Sequence, residues 1–264
     1  LLKAGDEICS FITSADFAAQ TEQSFQHVLT PPNEAALPEC IVMDFAIANN
    51  DQNEIVPALI ELQGFPSLFA FEVLQDEALR NSYTIPENVT PYLNGYTKEK
   101  YLQHLSTIIK GEQGEHTVLL ELYPEQQKTR IDFYCTQHFL AIPVVCVTEI
   151  FKKGNALYYQ REGIDIKIDR IYNRIVADEL KKQSVEIKEK AAIFNSDLDV
   201  SWVTHPNHFF RISKYLLPYL HHHCIPKTQF VDQIQSIPTD LEKYILKPLF
   251  SFAGQGVIID VQSD

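Results

Sequence analysis

Asp44 stands inside the apolar run CIVMDFAIA, and Glu61 and Gln63 stand inside a second one, VPALIELQG. A carboxylate among residues that a fold buries is costly unless a cation or a hydrogen-bond donor meets it. The polar stretch NNDQNE joins the two runs, which is the pattern of an antiparallel hairpin. Glu61 and Gln63 are two apart, so their side chains leave the strand on one face. With Asp44 on that same face, three oxygen donors converge. Such a set suits Mg²⁺, which keeps water and phosphate in its remaining positions. The same spacing allows a plainer arrangement, with Asp44 capping a turn and Glu61 solvated on its strand.

A second constellation lies in ILKPLFSFAGQGV, residues 245–257. It reads as a short, buried-looking apolar strand carrying Lys247, then a small-residue loop. The order GxxxxGK[ST] of a P-loop is absent, and GxG alone is not a dinucleotide fingerprint. A strand lysine ahead of a flexible loop fits another phosphate-binding design. In it the loop residues Ser251, Ala253, Gly254, Gln255 and Gly256 fold over the phosphates of ATP, and the Lys247 ammonium reaches their oxygens. The alternative is a strand and hairpin turn with an exposed lysine.

Positioning these residues requires an α/β chain. Residues 3–28 read as one helix, with Ile8, Phe11, Ile12, Phe17, Ala18 and Phe25 recurring near three and four. PSLFAFEVLQDEALRNSY predicts a helix, and another over about 97–110 stops at Gly111. TVLLELY is a continuous apolar run suited to a strand covered on both faces. A helix at about 126–140 and a strand at VVCVTEI follow, so strand alternates with helix and parallel pairing is expected. ALYYQ and IDIKIDRIYNRIV read as further strands, the first entering a turn at EGI. ADELKKQSVEIKEKAAIF reads as a charged helix, and residues around 211–222 as another.

With 264 residues and 45% apolar composition, the chain is long enough for a substantial core of two or three lobes. Its net charge of −13 argues against nucleic acid or an anionic membrane surface as partner. Five cysteines, an odd number with no CxxC, read as reduced thiols of a cytoplasmic protein. No run approaches a membrane span. The absence of a starting Met and the stop after the glycine loop lead us to expect a piece of something longer.

Taken in order, MDF…LIELQGFPSL, ISKYLLP and LKPLFSFAGQGV resemble the circularly permuted ATP-grasp proteins, a family that includes the synthetase part of glutathionylspermidine synthase. The resemblance covers residues 42–72 and 202–257, with weaker cues through 118–176. It implies a permuted ATP-grasp-like fold with a pre-ATP-grasp α/β layer. The metal-ligand half would occupy 1–112, a substrate domain 113–200, and the start of the ATP-binding lobe 201–264. It further implies Asp44, Glu61 and Gln63 as Mg²⁺ ligands, Gln63 standing where the family prefers Asn. Lys214 and Lys247 would contact ATP. The implied reaction joins a small-molecule carboxylate to an amine through an acyl phosphate. A scaffold that keeps the shape without turnover is the other reading, motivated by Gln63.

Further residues could take part. Arg170 and Arg174, four apart beside Tyr172, carry forks that suit a carboxylate or phosphate, and Arg174 is the candidate for contacting the acceptor substrate. An ion pair to an acidic residue would explain either arginine equally. His221, His222, His223 and Cys224 are potential zinc ligands, but on a helix consecutive residues splay apart. His205 and His208 flank the start of a helix, where capping is the default role.

Overall fold

The structure, a computed structural model, describes residues 1–24, 31–50, 52–111, 114–251 and 254–262. Of the residues singled out above, Phe25 and Ala253 lie outside these. The fold is mixed α/β, and the chain divides into two compact units. One gathers the N-terminal helices, Ala35–Phe65 and the chain from Asn207 onward; the other holds Pro66–Pro206. The boundaries expected after 112 and 200 both fall inside the second unit.

In the first unit the periodicity predicts one helix, but two are present. They are α1 (Leu2–Ile12) and α2 (Ala15–Thr21), parted where Ser14 adopts extended backbone with ψ 158°. Strands β1 (Val42–Asn49) and β2 (Ile55–Gln63) form the expected antiparallel hairpin. The Asn50 side chain accepts from the N–H groups of Gln52 and Glu54 and closes the turn. A lone two-stranded hairpin is marginal in water. Leu59 and Leu62 of β2 pack in one cluster with Ile8, Ile12, Phe17, Ile212 and Leu216. Burying each such side chain is worth about 1.5–3 kcal/mol, so this cluster, more than strand pairing, holds the hairpin.

The register of the hairpin skips Ile60: Asp44 pairs with Glu61, whereas Phe45 pairs with Leu59. This β-bulge inserts one extra residue and shifts the phase of the strand. Leu59 and Leu62, three apart, therefore both reach the core, while Glu61 and Gln63 turn to the opposite face.

Toward the C-terminus the expected elements shorten. Residues 211–222 are not one helix; a short helix His208–Arg211 precedes a 3₁₀ helix Lys214–Tyr219 capped by the Ser213 hydroxyl. No strand forms at ILKPLF; Leu246 makes only an isolated antiparallel bridge with Ile258. Pro248 has no N–H to continue a ladder. Ile245 and Leu246 are exposed, so the segment is not the buried strand its apolar residues predict.

The second unit opens with helices α3 (Phe69–Ser82) and α4 (Lys98–Lys110). Thr97 caps α4, and Gly111 ends it at φ 68°, a conformation glycine adopts without strain. Strand β3 (Thr117–Glu121), helix α5 (Arg130–Leu140) and strand β4 (Val144–Cys146) follow. The strand expected through VVCVTEI stops at Cys146, where a 3₁₀ turn begins. Strands β5 (Phe151–Lys153), β6 (Ala156–Arg161) and β7 (Ile164–Ile168) form an antiparallel meander. Glu162 and Gly163, both at positive φ, make the two-residue turn expected at EGI.

The long strand predicted over IDIKIDRIYNRIV divides at Asp169. Strand β8 (Arg170–Asn173) leaves the meander and pairs in parallel with β3. Helices α6 (Ala177–Lys181) and α7 (Val185–Ala191) replace one predicted charged helix, because the Ser184 hydroxyl caps a new N-terminus. Strand β9 (Ser201–Val203) completes a parallel sheet of order β4-β3-β8-β9. All five residues of β3 are buried. Val118 and Leu120 face one apolar cluster and Leu119 another, as a strand covered on both sides requires.

Candidate functional site

The bulge at Ile60 brings the hairpin's polar groups together. Asp44 and Glu61 are directly opposed, and directly opposed residues share a face. The Gln63 amide nitrogen donates to Asp44 Oδ2 at 3.2 Å and to Glu61 Oε1 at 3.0 Å. The three side chains therefore meet, with Gln63 presenting its amide nitrogen in place of the anticipated oxygen.

Both lysines reach the same place. The Lys214 side chain is 8% exposed, and its Nζ lies 2.6 Å from Glu61 Oε2 while donating to the Ser251 carbonyl at 3.0 Å. Lys247 Nζ donates to the Ile60 carbonyl at 2.7 Å. Ile60 is the bulged residue, and a bulge leaves its backbone outside the ladder. Asp44, Glu61, Lys214 and Lys247 line a cleft of about 740 Å³, together with Met43, Phe45, Ile60, Gly254, Val257 and Ile259.

Burial works against the charges on both sides. It pushes the Asp44 carboxyl above its usual range, the charge of Glu61 adds to this, and the Gln63 hydrogen bond and Lys214 oppose it. It pulls the Lys247 ammonium below its ordinary value, with Glu61 holding it up and Lys214 pressing it down. A dication beside Asp44 would favour the carboxylate, and a polyanion beside Lys247 would favour the ammonium.

Oxygen donors of this kind fit Mg²⁺. Two carboxylates are in place, while Gln63 turns its N–H groups toward them and would have to rotate its amide to offer oxygen. Among the described residues, no group of three His, Cys, Asp or Glu could hold a metal ion. A cation here would depend on the carboxylate pair plus the amide.

The glycine loop turns back at Gly254 and Gly256, both at φ 72°. A Cβ on Gly256 would sit 2.8 Å from Pro248 Cγ. Phe250 anchors the loop's start, stacked on Tyr215 and edge-on to Phe210. Ser251 offers its carbonyl to Lys214, and Gln255 is exposed.

Two constraints on the site were not recognised in the sequence. A Cβ on Gly64 would lie 2.3 Å from the His208 carbonyl oxygen and 2.7 Å from Ile212 Cβ. Gly64 N–H also donates to Ile212 O at 2.7 Å, so β2 can end against this segment only with glycine there. The signal was a glycine directly after Gln63. The other is the bulge itself, for which the break in alternation between Leu59 and Leu62 is the trace.

Arg174 is not available to a substrate in the way expected. It is 3% exposed and ion-paired with Asp132, which is fully buried, and it lies over the Phe133 ring. Asp132 Oδ1 also accepts from the N–H groups of Ala70 and Phe71, both at 3.0 Å, so the pair ties the first turn of α3 to the end of β8. Arg170 donates to the carbonyls of Ile108 and Ile109 and closes the C-terminus of α4. Glu121, the last residue of β3, lies nearby, and no local signal in the sequence sets it apart. It is 3% exposed and accepts from Leu122 N–H, and burial raises its carboxyl to about 8.

Residues 221–224 lie in a turn, not on a helix. His222 Nδ1 lies 2.8 Å from Cys224 Sγ, and its Nε2 lies 2.7 Å from Glu7 Oε2. His208 opens its short helix, with Nε2 3.1 Å from the Ala35 carbonyl, and buried His205 sits edge-on to Trp202. All five cysteines are free thiols, and no described helix is long and apolar enough to cross a membrane.

Compared with known proteins, the chain matches no family model and no curated sequence.

Proposed function

We propose that this chain carries the metal- and polyphosphate-binding residues of an ATP-dependent carboxylate–amine ligase of the circularly permuted ATP-grasp kind. The observation that carries the reading is the cleft lined by Asp44, Glu61, Lys214 and Lys247, with Gln63 bonded to both carboxylates. Acidic oxygens beside two ammonium groups match what a metal-complexed triphosphate needs.

In this reaction a substrate carboxylate attacks the γ-phosphorus of ATP and displaces ADP, leaving an acyl phosphate, and an amine then displaces phosphate from the acyl carbon, losing a proton, to give an amide. Mg²⁺, when bound, would offset the charge of the phosphates. Asp44, Glu61 and the Gln63 amide oxygen would hold it. Lys214 and Lys247 add fixed positive charge on the same cleft, where exclusion of water strengthens every electrostatic contact. Ser251 and Gly254–Gly256 supply backbone at the rim and would limit water that hydrolyses the acyl phosphate. Arg174, committed to Asp132, has no part in this account.

The second reading, an ATP-grasp-shaped binding domain without turnover, is motivated by Gln63 standing where the resemblance calls for Asn. ADP release, screened against paired amino acids, peptides and polyamines, tests the ligase reading. Release that requires both a carboxylate and an amine supports it; nucleotide binding with no such release favours the scaffold.

A further inference from the structure

We infer that the cleft admits a divalent cation and a polyphosphate as a pair and rejects the free cation, because Lys214 serves as an internal cation on Glu61. The inference rests on the reading above and adds to it which form of ligand the site accepts.

The geometry is specific. Lys214 Nζ sits 2.6 Å from Glu61 Oε2, with the two side chains 8% and 21% exposed. The other Glu61 oxygen accepts from Gln63, and so does Asp44 Oδ2. A Mg²⁺–oxygen bond is about 2.0–2.1 Å long, so a metal ion on Oε2 would stand against the ammonium and compete with it for that oxygen. Asp44 and Glu61 are balanced by Lys214 and Lys247 on the same cleft wall. A free dication entering this neutral group meets two like charges and must break an ion pair with no new partner for Lys214. A free polyanion meets two carboxylates. When the pair enters, the partners exchange: the metal takes the carboxylates, and both ammonium groups turn to phosphate. Each ligand removes what opposes the other, which is a coupling free energy between them.

Lys214 also holds the Ser251 carbonyl at the head of the glycine loop.

The test is Mn²⁺ binding to the intact chain, read from the electron paramagnetic resonance of the free ion, with and without a non-hydrolysable ATP analogue. Lys214→Met keeps the stem and removes the charge; Lys214→Gln provides a second variant should the first fail to fold. The expected result is at least tenfold tighter binding of Mn²⁺ alone in the Lys214 variants, within the ~5–150-fold range typical of site coupling. Lys247→Ala, which removes one like charge but no ion pair to a carboxylate, should tighten Mn²⁺ binding less than either Lys214 variant. Unchanged or weaker Mn²⁺ binding in the Lys214 variants overturns the inference, even where the analogue and Mn²⁺ still bind together. Failure of wild type and variants to hold Mn²⁺ and the analogue even together overturns the proposed function with it.

Discussion

Lys214 Nζ and Glu61 Oε2 stand 2.6 Å apart, one at the start of a 3₁₀ helix late in the chain and the other on an early hairpin. The pair is the shortest link between the two acidic strands and the cationic segments that follow Asn207. Its formation depends on the bulge at Ile60, which turns Glu61 away from the core occupied by Leu59 and Leu62.

Asp44 is raised by burial first and by Glu61 second. A carboxyl whose folded pKa is raised contributes stability below its unfolded pKa, lost as pH rises through the folded value. At neutral pH ionised Asp44 therefore burdens the fold. Asp44→Asn is expected to leave the melting temperature unchanged or raise it by about 1–3 °C, since a half-exposed group is screened. The same variant should lose metal-enhanced nucleotide binding. Scanning calorimetry at pH 7, with and without Mg²⁺-ATP, reads both.

Glu121 provides the pH test of the second unit. Its carboxyl ionises at about 8 in the fold, well above the ordinary 4.5 of a glutamate, because of burial. Between these values the native state holds a proton that the unfolded chain has released, so stability falls as pH rises from 4.5 to about 8. Glu121→Gln should flatten this decline. Urea denaturation should find the variant more stable than wild type by roughly 1–4 kcal/mol at pH 8, with the gain vanishing toward pH 4.5.

Arg174 and Asp132 form a buried pair, and removal of one partner strands the other. Arg174→Met should destabilise the protein by about 3–5 kcal/mol. The double variant with Asp132→Asn should recover part of the loss, because no charge is left unpaired. Equal losses in single and double variants, measured by chemical denaturation, would argue against the pairing.

Gly64→Ala places a Cβ against the His208 carbonyl and Ile212. Overpacking of this kind costs about 1–3 kcal/mol. The expected result is a lower melting temperature accompanied by weaker nucleotide binding, as the end of β2 moves away with Gln63.

Local patterns carried much of the fold. The alternation of VMDFAIA, the polar turn and the Glu61–Gln63 spacing sufficed for the hairpin and its polar face. Thr97 and Gly111 marked α4, and the unbroken run TVLLE marked an interior strand. Contacts between distant residues were not legible: Asp132 lies 42 positions from Arg174, and no local signal pairs them. Ser14 and Ser184 each fit a helix interior as well as a helix end, so two helices read as one in both places. Asp169 sits within a run of alternating apolar residues, and only the three-dimensional arrangement assigns its two sides to different sheets. At Lys247 the apolar neighbours pointed to a strand, and Pro248 ruled it out.

The most direct measurement is the thermal shift caused by ATP, with and without Mg²⁺, in wild type, Asp44→Asn and Lys247→Ala. The account predicts a nucleotide-dependent rise that Mg²⁺ enlarges in wild type and that both variants lose. No rise in wild type under either condition, or an undiminished rise in both variants, would contradict it.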